Sequence, residues 1–206
     1  MAVPIQTRGV SVYPSHLSPG VQRAVLDAVM AVVAQAPYFT PRMPRTGKPF
    51  SVQMTNCGPL GWVSDRSGYR YQPTHPETGR PWPPIPDALI AVWQQVGAPS
   101  VPEACLINHY RGGAKMGLHQ DRDEETFDAP VVSISLGDTA VFRIGGTVRS
   151  APTGSIKLSS GDVIVLGDGA RLAYHGVDRV IEGSSRLLPE GGRINLTLRR
   201  VTPWKD

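Results

Sequence analysis

Arg193-Ile194-Asn195-Leu196-Thr197-Leu198-Arg199 alternates polar and apolar residues without a break. Strand side chains point to opposite faces with a period of two. Ile194, Leu196 and Leu198 therefore share one side, and Arg193, Asn195, Thr197 and Arg199 the other. Working outward, short strand-like runs bounded by Gly, Asp and Pro recur at 104–110, 131–136, 140–144, 155–158, 162–166 and 172–175, before the strand at 192–201. Runs of strands without intervening helices argue against βαβ units and for a sandwich or jelly roll.

Two helices precede them. Ser18-Pro19 is a cap followed by proline at the first helical position. Val21, Val25, Ala28, Val29, Val32, Val33 and Ala36 follow at helical spacing, and Pro37 ends the run. A second helix begins near Pro86, with Leu89, Val92, Trp93 and Val96 on one stripe and Gly97 as its stop. Both read as packing helices. Residues 1–16 carry no periodic signal and read as an arm or short strand.

The chain has 206 residues, 40% of them hydrophobic and 18% charged, enough for one buried core. No apolar run approaches the ~20 residues of a membrane span, so a cytoplasmic monomer with no membrane contact is expected. Two cysteines, Cys57 and Cys105, give neither a disulfide framework nor a zinc site, and read as small buried residues. Net charge is +4. Between Pro37 and Arg80 stand Arg42, Arg45, Lys48, Arg66, Arg70 and Arg80 against Asp65 and Glu77, a surplus equal to that of the whole chain. Eleven of the 20 prolines fall between Pro37 and Pro86, so little regular structure is expected there beyond a strand near 50–55. The same span holds Trp62, Tyr69 and Tyr71. Aromatic faces stack on bases and cations track phosphates, which makes a nucleic acid a candidate partner.

Leu118-His119-Gln120-Asp121 supplies the chemistry. On an extended segment His119 and Asp121 face the same way, and His175 lies 54 residues beyond Asp121. Two histidines and one carboxylate on one face of a metal leave positions open, as non-haem Fe(II) oxygenases require. Asn108 and Tyr110 share a strand face and offer amide and phenol groups. His109 alternates away from them and, like His16 and His75, reads as a surface or packing histidine. Arg193, Asn195 and Arg199 form either a solvated sheet face or, if they line a cavity, an anion clamp.

Together these residues carry a resemblance. Asn108-x-Tyr110-x-x-Gly113-Ala114-Lys115, Leu118-His119-Gln120-Asp121-x-Asp123-Glu124, Tyr174-His175-Gly176 and Arg193-x-Asn195-Leu196-Thr197-x-Arg199 resemble the AlkB family of Fe(II)/2-oxoglutarate-dependent dioxygenases. Met54-Thr55-Asn56-Cys57-Gly58, Leu60-Gly61-Trp62 and Gly68-Tyr69-x-Tyr71 resemble that family's nucleotide-recognition lid. The matches run in order from about residue 50 to residue 200. Gly112-Gly113 replaces the usual Pro-Gly, Arg122 replaces a lysine, and Gly191-Gly192 lengthens the entry to the last strand.

The resemblance implies a double-stranded β-helix, a jelly roll flanked by N-terminal helices. It implies a lid (46–86) and a core (104–201); residues 1–45, the arm and packing helix, match the family poorly and inherit nothing from it, and the whole reads as a single domain over 1–206. Fe(II) would be held by His119, Asp121 and His175. The co-substrate 2-oxoglutarate would meet Arg193 and Tyr110 at its distal carboxylate, with Arg199 near the iron-bound end and Asn108 and Asn195 in support. With O2 as oxidant, an N-methyl group would be hydroxylated and lost as formaldehyde, leaving succinate and CO2. Trp62 would stack on the extruded base, with His119 bounding its other face and Met54 beside it. Tyr69 and Tyr71 would contact the adjoining backbone, and Lys115 and Arg122 the phosphates. Arg149 would lie on the substrate side. Asp123, on the face of Asp121 if the strand continues, would accept from the exocyclic amine of a cationic base, 1-methyladenine or 3-methylcytosine. The implied substrate is N-alkylated DNA, single strands preferred, with duplex or RNA open. An oxygenase acting on RNA or another substrate, or a non-catalytic binding module, are the alternatives.

Overall fold

A computed structural model of the chain describes residues 3–204. Thirteen strands and two α-helices are arranged as two facing sheets with a small hairpin sheet at the mouth between them. The larger sheet runs β1 (Ile5–Thr7), β2 (Val10–Tyr13), β11 (Val163–Leu166), β8 (Val131–Gly137), β13 (Arg193–Arg199), β6 (Ala104–Tyr110) and β3 (Gln53–Cys57). The smaller sheet runs β10 (Gly154–Leu158), β9 (Thr139–Ile144), β12 (His175–Ile181) and β7 (Met116–His119). β4 (Gly61–Asp65) and β5 (Gly68–Gln72) form the hairpin. This is the jelly roll expected from the run of short strands.

Alternation along β13 sorts the core. Ile194, Leu196 and Leu198 are buried with Ile107 of β6 and Val132, Ile134 and Leu136 of β8 on the outer face of the larger sheet. There they meet α1 (Pro19–Gln35) and α2 (Asp87–Gln95) through Val25, Val29, Val32, Leu89, Val92 and Trp93. Each such aliphatic side chain contributes roughly 1.5–3 kcal/mol by leaving water. Ser18 Oγ accepts from Val21 N at 3.4 Å and caps α1. Val21, counted in the apolar stripe, is exposed on the first turn of α1, and burial begins at Val25. Gly97, at φ +75°, takes the left-handed conformation that stops α2. The inner face of the larger sheet looks across at Phe142, Ile144, Leu158 and Val177 of the smaller one, and the site lies between.

Several boundaries differ from expectation. The N-terminal arm is a hairpin whose β2 pairs with β11, so it extends the larger sheet. β3 lies at 53–57, three residues past the expected start, where its register with β6 places Cys57 opposite Cys105. The Pro-rich span contains the β4–β5 hairpin, closed by Arg66-Ser67 and by a two-pronged Arg70–Asp65 pair at 3.0 and 2.8 Å. Residues 172–174 are not strand; β12 begins at His175 and continues to Ile181, with two irregularities of register. Among the described residues no helix is long and apolar enough to cross a membrane.

Candidate active site

A cavity of about 620 Å³ opens between the sheets. His119 closes β7 and His175 opens β12; they are register partners on adjacent strands, with ring centroids 4.5 Å apart. β7 ends at His119, so Asp121 reaches the site from irregular backbone and not from a continuing strand. Its Oδ1 and Oδ2 lie 3.7 Å from the Nε2 atoms of His119 and His175 respectively. One ligand atom from each of the three residues falls within 4.8 Å of the others.

The protonation pattern suits a metal. His119 Nδ1 faces Gly117 O and His175 Nδ1 faces Ala173 O, each at 2.9 Å. A carbonyl can only accept, so each Nδ1 carries the proton and each Nε2 turns a lone pair toward Asp121. Burial, reinforced by His119, pulls the His175 imidazole down to about 4, which keeps it neutral. Burial works against the charge of Asp121, but Arg199, then His175 and His119, hold its carboxyl well below the usual carboxylate range. Two neutral nitrogens and an ionised carboxylate with open space beside them are the donor set for a first-row divalent ion.

Deeper in the cavity the larger sheet presents Arg193, 1% exposed. It donates to Ser135 Oγ at 2.9 Å, Leu158 O at 3.2 Å and Asp138 O at 3.4 Å, while its Nε has no partner among the described residues. Among the described residues no carboxylate lies within 4 Å of it. Burial lowers the guanidinium to about 10, so it remains charged near neutrality. The Oδ1 of buried Asn108 is also unpartnered, and the Tyr110 hydroxyl, pushed up to about 12 by burial, stays a donor. A buried cation with no counter-charge, beside a phenol that can donate, calls for an anionic ligand.

A family model for the 2OG-Fe(II) oxygenase superfamily matches residues 9–199. The chain is 58% identical over 194 residues to the alpha-ketoglutarate-dependent dioxygenase AlkB homolog of Caulobacter vibrioides, covering 94% of this chain and 88% of that one. It is 44% identical over 175 residues to alpha-ketoglutarate-dependent dioxygenase AlkB of Escherichia coli, covering 82% and 80%. The chain belongs to the AlkB family. Its cofactor is Fe(II), its co-substrates are 2-oxoglutarate and O2, and it is a dioxygenase. The solved structure of OsALKBH1 superimposes with a TM-score of 0.80 at 29% identity, covering 95% of this chain and 98% of that one.

In this AlkB-family chain the remaining expected residues fall around one cavity. Trp62 stacks on Tyr69 (centroids 5.7 Å, 18° between planes), and its Nε1 donates to Asp123 Oδ2 at 2.8 Å. Asp123 thus meets the hairpin although no strand carries it there. Met54 lines the wall from β3, and Arg149, donating to Leu118 O at 3.1 Å, closes the side by β7. Lys115 and Arg122 are exposed at the mouth. Asn195 lines the cavity and keeps its amide on Ser133 Oγ at 2.7 Å and Ile134 O at 3.1 Å. Arg193 and Arg199 lie inside the cavity wall, so the polar side of β13 is not a solvated face. Tyr71 departs from the reading as a backbone contact: its hydroxyl turns inward and donates to Glu124 Oε1 at 2.7 Å.

Three residues were given no role by the sequence. Glu124 and Arg171 are buried beneath the metal ligands. Arg171 donates to Asp121 O at 2.8 Å and Ala129 O at 2.9 Å, and its Nη2 lies 3.4 Å from Glu124 Oε2 without hydrogen-bond geometry. Asn56 exchanges two 3.0 Å hydrogen bonds with the backbone of Trp62 and so fixes the base of the hairpin. Glu124 stood inside the quoted motif, but nothing in an acidic run marks which member is buried. Arg171 has no signal short of the fold.

Proposed function

We propose that this AlkB-family dioxygenase is an oxidative demethylase of N-alkylated DNA bases, 1-methyladenine and 3-methylcytosine, acting by preference on single strands as a cytoplasmic monomer. The reading rests on one observation above all: Trp62 and Asp123, joined at 2.8 Å, and the His119/Asp121/His175 group line the same cavity. A stacking surface, an acceptor for an exocyclic amine and a metal site are thus all within reach of one flipped base.

His119, Asp121 and His175 would hold Fe(II), which with 2-oxoglutarate and O2 supplies the oxidation of the methyl group, giving succinate, CO2 and, from the hydroxymethyl base, formaldehyde. Arg193 and Tyr110 bind the distal carboxylate of 2-oxoglutarate, and Asn108, Asn195 and Arg199 support that wall. Residues 46–86 act as the lid. Trp62 stacks on the base and Asp123 Oδ1, the oxygen not engaged by Trp62, accepts from its amine. A carboxylate there also favours a positively charged ring. Tyr69, Lys115 and Arg122 follow the strand, with Met54 and Arg149 on the substrate side.

The test is formaldehyde release from a single-stranded oligonucleotide bearing 3-methylcytosine, with Fe(II), 2-oxoglutarate and ascorbate, beside His119→Ala. Release that needs 2-oxoglutarate and vanishes in the variant is expected. A relative from Schizosaccharomyces pombe, 31% identical over 49% of this chain, is named tRNA demethylase abh1. An RNA oligonucleotide with the same base is therefore the second arm, and a faster rate on it would replace DNA by RNA as the substrate.

A further inference from the structure

Trp62 and Tyr71 are register partners on β4 and β5, so both side chains leave the same face of the hairpin. They bond consecutive carboxylates, Trp62 to Asp123 and Tyr71 to Glu124. The two contacts differ in kind. Asp123 is exposed at the rim, whereas the Glu124 carboxyl is 1% exposed and belongs to a buried ionic network.

That network ends on a metal ligand. Arg199 Nη2 lies 2.9 Å from Asp121 Oδ1 and its Nε donates to Asp121 Oδ2 at 3.3 Å. The same Nε lies 3.3 Å from Glu124 Oε1, the oxygen that accepts from Tyr71. Arg199 Nη1 also reaches the Tyr71 oxygen at 3.4 Å. One guanidinium is thus shared between two carboxylates, and only Asp121 belongs to the metal group. Glu124 has few other donors, since Arg171 approaches Oε2 without hydrogen-bond geometry. In a dry network each donor lost by one acceptor is taken from another. Tyr71 therefore decides how much of Arg199 is left to Asp121.

We propose that Tyr71 and Glu124 are positioning residues through which the β4–β5 hairpin sets the orientation of Asp121 and hence the metal site. The proposal rests on the assignment of Asp121 as a metal ligand and of the hairpin as the part that meets substrate. Its consequence is that occupancy of the lid is felt at the metal. Coupling of this kind is reciprocal, so metal and nucleic acid strengthen each other's binding by one and the same factor.

Co(II) titration of the whole chain, without nucleic acid, tests the relay directly. Tyr71→Phe keeps the ring and its packing but removes the donated proton. It is expected to weaken Co(II) about tenfold, the scale of partners that orient metal ligands, and to alter the ligand-field spectrum. An unchanged affinity and spectrum would overturn the relay. Glu124→Gln leaves an acceptor for Tyr71 but no charge to compete for Arg199, so Co(II) should bind no more weakly than in the wild type; clear weakening counts against the proposal. In the Glu124→Gln background Tyr71→Phe should cost little more, whereas an undiminished tenfold loss means Tyr71 does not act through Glu124. Adding a single-stranded 3-methylcytosine oligonucleotide should then tighten Co(II) in the wild type and not in Tyr71→Phe. If the wild type binds no oligonucleotide at all, the nucleic-acid reading falls, and the cobalt comparison still decides the relay.

Discussion

Arg193 keeps its charge where water does not follow: it is 1% exposed, its Nε is unpaired, and the groups it does reach are neutral. A carboxylate arriving there relieves a buried charge as well as forming hydrogen bonds. Removing one partner of such a pair typically costs 2–5 kcal/mol. Arg193→Met should therefore raise the KM for 2-oxoglutarate by about two orders of magnitude, at 1.4 kcal/mol per decade, with little change in Co(II) affinity. Initial rates against 2-oxoglutarate concentration check this, and an equal loss of metal binding would show that Arg193 serves the fold instead. His109, one residue from the site wall but on the other face of β6, carries a separate prediction. It stacks on Tyr38 (centroids 4.9 Å), and burial, then Arg111, lowers its pKa below the usual 6.5. The folded chain then binds fewer protons than the unfolded one, so this contribution is complete above pH 6.5 and is lost as pH falls through that value toward the folded pKa. His109→Phe keeps the stacking and removes the titration. In metal-loaded protein, where His175 is held by the ion, the variant's Tm should fall less than the wild type's between about pH 7 and about pH 5; parallel curves would place the acid sensitivity elsewhere.

At the level of elements, the metal site depends on how closely two strands approach. A Cβ on Gly176 would stand 2.5 Å from Met116 O and 2.8 Å from Gly117 O, both backbone atoms of β7. Among the described residues β7 is the edge of its sheet and pairs with β12 alone, so it can yield only by carrying His119 away. Gly176→Ala should cost roughly 1–3 kcal/mol in stability and a larger share in metal affinity, read by urea unfolding of the apo chain and by Co(II) titration. Loss of stability with metal affinity intact would mean that β7 bends elsewhere. The same elements show what could be read in advance. The period of two along 193–199 assigns both faces of β13, and the His-x-Asp spacing with a later histidine picks out the metal group from the sequence alone. β4–β5 is hard to read because eleven prolines surround a hairpin whose own alternation, Trp62 and Ser64 opposite Tyr71 and Tyr69, is only five residues a side. β12 begins later than the apolar run at 172–175 suggests, because His175 ends that run yet opens a strand whose middle residues, Asp178 and Arg179, are polar and exposed.

Across the whole molecule, each sheet has its own share of the work. His119 and His175 stand on the smaller sheet; Asn108, Tyr110, Arg193 and Arg199 stand on the larger one. Neither β2's place in the larger sheet nor this division was visible in the sequence, because both depend on which strands become neighbours. Packed sheets keep a spacing of about 10 Å, and the outer face of the larger sheet is braced by α1 and α2, so the gap between metal ligands and Arg193 is fixed by the core. A diacid held at both ends must match that gap. One carbon more or less changes its reach by about one bond, roughly 1.5 Å, against a hydrogen-bond window of only about 0.5 Å. Oxaloacetate and 2-oxoadipate should therefore give little succinate-type turnover and should compete poorly with 2-oxoglutarate; comparable KM values for all three would mean that the gap yields. The separation of the sheets is in this sense a ruler, and the cavity counts carbon atoms.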